Sequence, residues 1–142
     1  MKNLETAIKI ASCSIFGLYL KAHHTHLNIT GADFYQYHKL TDKIWKDLIE
    51  SFDGISEQIR ALDIYAPASL GEIEQLSVVY DQPDILPADQ MIYELLIDND
   101  KVIQVLIETN TLAANHPGLQ NFIEGRIDQH EKWGWMLRAT VQ

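Results

Sequence analysis

The chain alternates between long stretches in which apolar residues repeat with a helical period and short polar stretches that interrupt them. Within the long stretches, apolar side chains recur three and four positions apart, which places them on one face of an α-helix. This pattern predicts long helices over residues 4–27, 34–62, 89–114 and 119–139. Thr30-Gly31 separates the first two helices, and Asp33 is a candidate N-cap for the second.

The segment between the second and third long helices has a different composition. It carries Pro67, Pro83 and Pro87, and proline stops helices because it lacks a backbone N–H and clashes with the preceding turn. A short helix at about residues 69–76 fits inside this connection. The order of elements predicts an all-α four-helix bundle, with a short helix in the long crossover between helices two and three. We expect a single domain over residues 1–142.

Composition and charge narrow the class of partner. Hydrophobic residues make up 46% of the 142 residues, which excludes a disordered chain. Twenty acidic residues against eleven basic ones give a formal charge of −9, so cations are more natural ligands than nucleic acid. No stretch reaches the roughly 18 apolar residues of a membrane span. A single cysteine, Cys13, permits no intrachain disulfide and fits a core position in a cytoplasmic protein.

Residues that can ligate a metal form one stripe along the second helix. His38 and Asp42 are four positions apart, as are Asp53 and Glu57, and four positions bring side chains to the same helix face. The eleven residues from Asp42 to Asp53 are close to a whole number of turns. Asp53 and Glu57 taken alone are more typical of a solvated helix face than of a metal site. A histidine on the same stripe makes the solvated face a weaker explanation.

Distance along the helix limits what such a site can be. Asp42 and Asp53 are separated by about 16 Å along the axis, at a rise of about 1.5 Å per residue. Metal–ligand bonds are about 2 Å long, so one chain cannot bring both pairs to the same ion. Two copies of the helix packed antiparallel about a twofold axis would bring each pair against its complement twice. The spacing therefore predicts two identical sites across a dimer interface.

The segment over residues 21–62 resembles the signature of the Dps-type mini-ferritins, the DNA-binding proteins from starved cells, within the ferritin-like superfamily. "HEKWGWMLRA", near the C-terminus, is similar to the last helix of that family. The positions that match the signature are Lys21, His26, Asn28, Gly31, Phe34, His38, Asp53, Glu57, Ile59, Arg60, Ala61 and Leu62.

The resemblance implies a ferritin-like bundle that assembles into a hollow shell of twelve subunits and stores iron. It implies di-iron ferroxidase sites that convert Fe(II) to Fe(III), with hydrogen peroxide as the expected oxidant and oxygen as the alternative, a chemistry that protects against oxidative stress. Zn²⁺ is a conceivable substitute at the same ligands. The implied ligands are His26, His38 and Asp42 from one subunit and Asp53 and Glu57 from its neighbour. Gly31 would let the chain reverse so that His26 faces His38.

The sequence also departs from the family in several places. Leu27 replaces the tryptophan that usually follows the first ligand histidine. Trp133 or Trp135 is a candidate replacement, although a buried tryptophan on the last helix is more typical of the core. His23 and His24 lie outside the matched ligand set, and we expect both to be exposed.

Two features of the assembled shell also differ. Glu124 and Asp128 fit either an acidic entry pore or a plain solvated helix face. The lysine-rich tail that binds DNA is missing, and twelve chains at −9 each would carry about −108, so we expect no DNA binding.

Three other classes compete with this interpretation. A full-length ferritin or a ferritin-like oxygenase needs a Glu-x-x-His motif within one chain, and the sequence contains none. A hemerythrin-like oxygen-binding bundle would need more helical histidines than His116 and His130 supply. The third alternative is a non-enzymatic protein, either a metal-binding bundle or a helical interaction module with solvated acidic residues. The native mass of the protein distinguishes the classes, because a mini-ferritin forms a twelve-subunit shell and the alternatives are expected to be monomers.

Overall fold

A computed structural model describes residues 2–142, and this part of the chain forms five α-helices. Their bounds are α1 Leu4–Asn28, α2 Phe34–Ala61, α3 Leu70–Leu76, α4 Ala88–Leu112 and α5 Pro117–Val141. The all-α class and the short helix in the crossover are confirmed, and each predicted helix end lies within two residues of the observed one. Over residues 2–142, no helix is both long enough and apolar enough to cross a lipid bilayer.

Local side-chain chemistry explains where three of the five helices begin. The side chains of Asn3 and Ser69 cap α1 and α3 by accepting hydrogen bonds from backbone N–H groups of the first turn. Asp33 occupies the N-cap position of α2, as predicted, although its side chain makes no capping hydrogen bond. α5 begins at Pro117, two residues before the predicted start, because a proline at the first helical position gives up only an N–H that would be unpaired anyway.

The long helices form two antiparallel pairs that enclose one apolar core. α1 packs against α2, α4 packs against α5, and α1 and α4 close the bundle between the pairs. The buried apolar residues of all four long helices belong to a single cluster. Its largest fully buried side chains are Ile8, Ile15, Ile29, Leu48, Ile55, Ile59, Ile92, Leu95, Leu106, Ile123 and Leu137. Cys13 is also fully buried, as expected, and burial raises the pKa of its thiol to about 11.

A buried polar network ties α5 to α2 and α4. The Arg126 guanidinium donates two hydrogen bonds, of 2.9 and 2.8 Å, to the two oxygens of Asp47, and the Trp133 indole N–H donates to the same carboxylate. His130 lies between Arg126 and Asn99, at 3.0 Å from an Arg126 nitrogen and 2.9 Å from the Asn99 amide oxygen. Burial, and then the Arg126 charge, lower the pKa of His130 to about 3. His130 is therefore neutral in the folded protein.

The crossover segment after α3 lies directly on α1. Gly17 of α1 leaves room for it, because a Cβ at Gly17 would lie 2.5 Å from Ser77 Oγ and 3.2 Å from Val79 Cβ. Ser14, one turn earlier, accepts a hydrogen bond from the backbone N–H of Val78 at 3.0 Å. Small residues on one face of α1 thus allow the long connection to pack closely against the bundle.

Candidate metal centre

A tight loop over residues 29–33 folds the end of α1 back onto the start of α2. Gly31 adopts a φ of 119°, a conformation that side-chain-bearing residues rarely tolerate. The reversal brings His26, in the last turn of α1, against His38, in the first turns of α2. Their rings stack with centroids 3.8 Å apart and planes 16° from parallel. The expected role of Gly31 is therefore borne out by the geometry.

Each of the two histidines is held by a backbone carbonyl of the other. His26 Nδ1 lies 2.9 Å from the carbonyl oxygen of His38, and His38 Nδ1 lies 2.9 Å from the carbonyl oxygen of His26. A carbonyl oxygen only accepts, so both Nδ1 atoms carry the proton. In the neutral rings the lone pair is then on Nε2, the atom that a metal ion would take. The carbonyl of His26 belongs to the end of α1, where such groups lack helical partners.

Asp42 lies beside this pair, one helical turn after His38. Its Oδ1 is 3.7 Å from His26 Nε2, and its Oδ2 is 2.9 Å from the Lys46 ammonium. The hydrogen bond from Lys46 holds the pKa of the Asp42 carboxyl below its ordinary value, so this side chain is ionised at neutral pH. We refer to His26, His38 and Asp42 as the His half-site.

The other two candidate ligands lie further along α2, and we refer to Asp53 and Glu57 as the acid half-site. Both are exposed and line a cavity of about 380 Å³ between α2 and α5. Glu50, Phe122 and Arg126 also line this cavity, whereas no member of the His half-site does. Over residues 2–142, no three His, Cys, Asp or Glu side chains converge on one metal position, and this holds for the His half-site as well. One chain thus carries two separate groups of candidate ligands, and neither meets the requirements of a metal site by itself.

Two aromatic rings of the same chain, Phe34 and Trp45, lie beside the His half-site, and Phe34 stacks on His38 with centroids 4.9 Å apart. Trp45 stacks on His23 with centroids 4.2 Å apart, and its ring centre lies 6.1 Å from that of His26. Trp133 is bound to Asp47 in the buried network, and Trp135 is 59% exposed.

The expectation that His23 and His24 are exposed is wrong, because both are half-buried. His23 lies between Trp45 and the Tyr19 hydroxyl, which is 3.1 Å from its Nδ1. His24 lies on α1, where its Nδ1 is 3.3 Å from the Asn28 amide nitrogen. Burial, and then the neighbouring His26, lower the pKa of His23.

Sequence reasoning missed both Trp45 and Lys46 as neighbours of the site. The apolar repeat of α2 includes Trp45 as an ordinary core-facing residue, and nothing in the pattern distinguishes Lys46 from the other charged residues of the helix. The signal was available, because positions 38, 42, 45 and 46 fall on one face of a helix. The spacing alone does not say which of these side chains turns toward α1, and that depends on how the two helices pack.

Comparisons with known proteins agree with this fold. The chain matches the ferritin-like domain family over residues 6–142. It is 24% identical to the DNA protection during starvation protein of Helicobacter pylori over 144 residues, which cover 99% of both chains. Antigen TpF1 from Treponema pallidum has a similar structure, with a TM-score of 0.92 at 25% identity over 98% of this chain and 91% of that one.

A Dps protein from Vibrio cholerae O1 also superposes, with a TM-score of 0.93 at 20% identity over 98% of this chain and 89% of its own. That protein is described as a member of a superfamily of ferritin-like diiron-carboxylate proteins. The bundle, with its paired helices and long crossover, defines this chain as ferritin-like. It belongs to the ferritin-like domain family and is a homologue of the Dps proteins, as its resemblance to the mini-ferritins indicated.

Proposed function

We propose that this protein oxidises Fe(II) at di-iron sites between twofold-related subunits and stores the ferric product inside a hollow shell of twelve chains. One observation carries the proposal: the chain holds two complementary sets of ligands that it cannot join by itself. His26, at the end of α1, lies beside His38 and Asp42 of α2. Asp53, the nearer residue of the acid half-site, is about 16 Å from Asp42 along the axis of α2. Membership of the ferritin-like family supports an iron-storage role and a homo-oligomeric assembly.

The chemistry follows from the donor atoms. Imidazole nitrogen and carboxylate oxygen suit Fe(II), and the set contains no thiolate. Asp53 and Glu57 would hold the first Fe²⁺, with Glu57 able to bridge to a second, and the His half-site of the partner subunit would complete the coordination. Hydrogen peroxide takes two electrons and two protons to form two water molecules, one electron from each Fe²⁺, so no hydroxyl radical is released. Ferric ions would then accumulate as mineral in the interior.

The first test removes one ligand from each half-site. We expect the His38→Ala and Glu57→Ala variants each to oxidise Fe²⁺ at least about tenfold more slowly than the wild-type protein, since loss of groups at a metal site has effects of this size or larger. Stopped-flow measurement with peroxide, and separately with oxygen, would give the rates and identify the preferred oxidant. Glu131→Ala removes an exposed carboxylate of α5 and serves as the matched control. Unchanged oxidation in both ligand variants would contradict the proposal.

A second test asks whether each site is shared between subunits. When His38→Ala and Glu57→Ala chains are co-expressed, a mixed dimer has one site with both defects and one site with neither. Random pairing would restore about a quarter of the sites. Oxidation should therefore recover in the mixed shells, whereas shells of the double variant His38→Ala/Glu57→Ala stay inactive. If mixing restores nothing while the assembly is intact, the site lies within one chain.

The protein's charge supports a role confined to iron. The chain carries a formal charge of −9, which repels a phosphate backbone, so we propose that the assembled protein does not bind DNA at physiological salt. A cytoplasmic location and a single domain over residues 1–142 are parts of the same proposal.

A further inference from the structure

The exposed positions of α2 form one straight stripe along the helix. Between residues 36 and 60 they recur at alternating intervals of three and four residues, a spacing that keeps side chains on one helix face. We refer to this set as the α2 stripe. Its members are Gln36, Lys39, Lys43, Lys46, Glu50, Asp53, Glu57 and Arg60.

The lysines and the carboxylates of the α2 stripe occupy opposite halves of it. All three lysines precede residue 48, and all three carboxylates follow it. The lysines lie two, five and nine residues before residue 48, and the carboxylates lie two, five and nine residues after it. Each lysine therefore has a carboxylate at its mirror position, so turning the stripe end to end exchanges the two signs of charge.

Most of these charges are not neutralised within the chain. Over residues 2–142, Lys46 is the one member of these six that forms an ion pair, with Asp42 at 2.9 Å. Lys39 lies over the Tyr35 ring, 5.1 Å from its centre. An exposed helix face that carries unpaired charges of both signs, in mirror order, is complementary to a second copy of itself.

We propose that the α2 stripe selects a second copy of this chain as the twofold partner and fixes the register of the two helices. This inference deepens the proposed function and rests on it. When two α2 helices lie antiparallel with their residues 48 side by side, each lysine of one stripe faces a carboxylate of the other, and the twofold axis repeats every pair. The facing pairs are Lys46 with Glu50, Lys43 with Asp53 and Lys39 with Glu57. A parallel arrangement in register would instead bring like charges together, which costs free energy.

The proposed metal ligands lead to the same axis by a separate route. The α2 ligands of the His half-site and those of the acid half-site lie at mirror positions about a point between residues 47 and 48, half a residue from the centre of the charges. One antiparallel arrangement therefore satisfies both patterns. Lys46 and Glu50 lie nearest this axis and are not among the proposed ligands, so their pairing does not depend on metal.

Lys46 and Glu50 provide the test. Both are exposed, so substitution should leave the fold intact. We would remove metal with a chelator and follow assembly against protein concentration by sedimentation velocity at low salt, for the wild type and for the Lys46→Glu and Glu50→Lys variants. Each reversal places two like-charged pairs beside the axis. We expect each variant to assemble only at a protein concentration about tenfold or more above that of the wild type.

A mixture of the two variants restores the charge pattern. One chain then contributes two carboxylates near the axis and the other contributes two lysines, so opposite charges face each other in the mixed pair alone. We expect the mixture to assemble at the wild-type concentration, and an affinity tag on one variant to recover both chains in equal amounts. Lys132→Glu and Glu131→Lys make the same charge changes at exposed positions of α5 and should each assemble like the wild type. Wild-type assembly should itself weaken at about 0.5 M salt, because screening weakens interactions between exposed charges.

The possible failures are distinguishable. If either reversal variant assembles like the wild type, or if the mixture recovers nothing, the α2 stripe does not select the partner, and the shared metal site is still judged by iron oxidation in the co-expressed shells. If the metal-free wild-type protein keeps the 16.3 kDa mass of one chain at every concentration, the proposed site and the role of the α2 stripe fall together.

Discussion

His26 and His38 each use one ring nitrogen for folding and leave the other free for a metal ion. The two Nδ1–H···O=C hydrogen bonds, both 2.9 Å long, join the end of α1 to the start of α2. Because each Nδ1–H donates a hydrogen bond to a carbonyl oxygen, the fold of the single chain fixes the tautomer of both rings. The same contacts that close the loop therefore prepare the His half-site, and replacing either histidine should affect local stability as well as metal binding.

Trp45 provides a direct optical signal from this site. Its ring centre is 6.1 Å from that of His26, so we expect Co²⁺ bound at the His half-site to quench its fluorescence. The Trp45→Phe variant should lose most of this quenching and still bind Co²⁺. Phenylalanine preserves an aromatic surface, and removing the indole N–H breaks no hydrogen bond, because that group is buried without a partner. Trp135→Phe, at an exposed position, is the control and should keep the response. Full quenching in Trp45→Phe would place the bound metal elsewhere.

Helix α1 packs closely against the non-helical residues Ser77 to Val79, and Gly17 makes this close approach possible. A Cβ at this position would lie 2.5 Å from Ser77 Oγ, an atom that is itself buried and bonded to the backbone of Val79. We expect Gly17→Ala to lower the free energy of unfolding by about 1–3 kcal/mol, the usual range for overpacking. Urea unfolding followed by circular dichroism measures the change.

A matched glycine on another helix separates crowding from helix propensity. Gly125 lies on the exposed face of α5, and an added Cβ would meet nothing within 4 Å. Gly125→Ala should therefore stabilise the protein by up to about 1 kcal/mol, because alanine is the better helix former. Equal effects of the two substitutions would show that the Ser77–Val79 segment moves aside freely.

For the molecule as a whole, the buried network around His130 predicts a dependence of stability on pH. The folded-state pKa of His130 is lowered to about 3, while the unfolded chain titrates near its ordinary value. The unfolded state therefore binds more protons between these values. The contribution of neutral His130 to the free energy of unfolding is therefore fully present above about pH 6.5. It decreases as the pH falls toward 3, by at most about 1.4 kcal/mol per pH unit.

Urea unfolding at several pH values between 7 and 4, at one protein concentration, tests this. His130→Gln should be less stable than the wild type at pH 7, because it disturbs the hydrogen bonds to Arg126 and Asn99, but its stability should depend less on pH. His116→Gln replaces an exposed histidine ahead of α5 and should keep the wild-type slope. A His130→Gln variant with an unchanged slope would assign the acid sensitivity to other groups.

The order and extent of the helices were predictable from the sequence because they depend on short-range features. Apolar residues three and four apart, the prolines of the crossover and the break at Thr30-Gly31 act within a few residues of chain. The spacing of His38, Asp42, Asp53 and Glu57 on one helix was equally available. That spacing, with the rise per residue, predicts a site that two chains must share.

The neighbours of each side chain depended on the packing of the helices, which local patterns do not contain. A period of three and four residues identifies a helix face but not the element that covers it. For that reason Trp45 rather than Trp133 lies beside His26, His23 and His24 are half-buried, and Lys46 binds Asp42. The reciprocal bonds of His26 and His38 exist only because a five-residue loop brings two helix ends together, and they decide which ring nitrogens remain free for a metal ion.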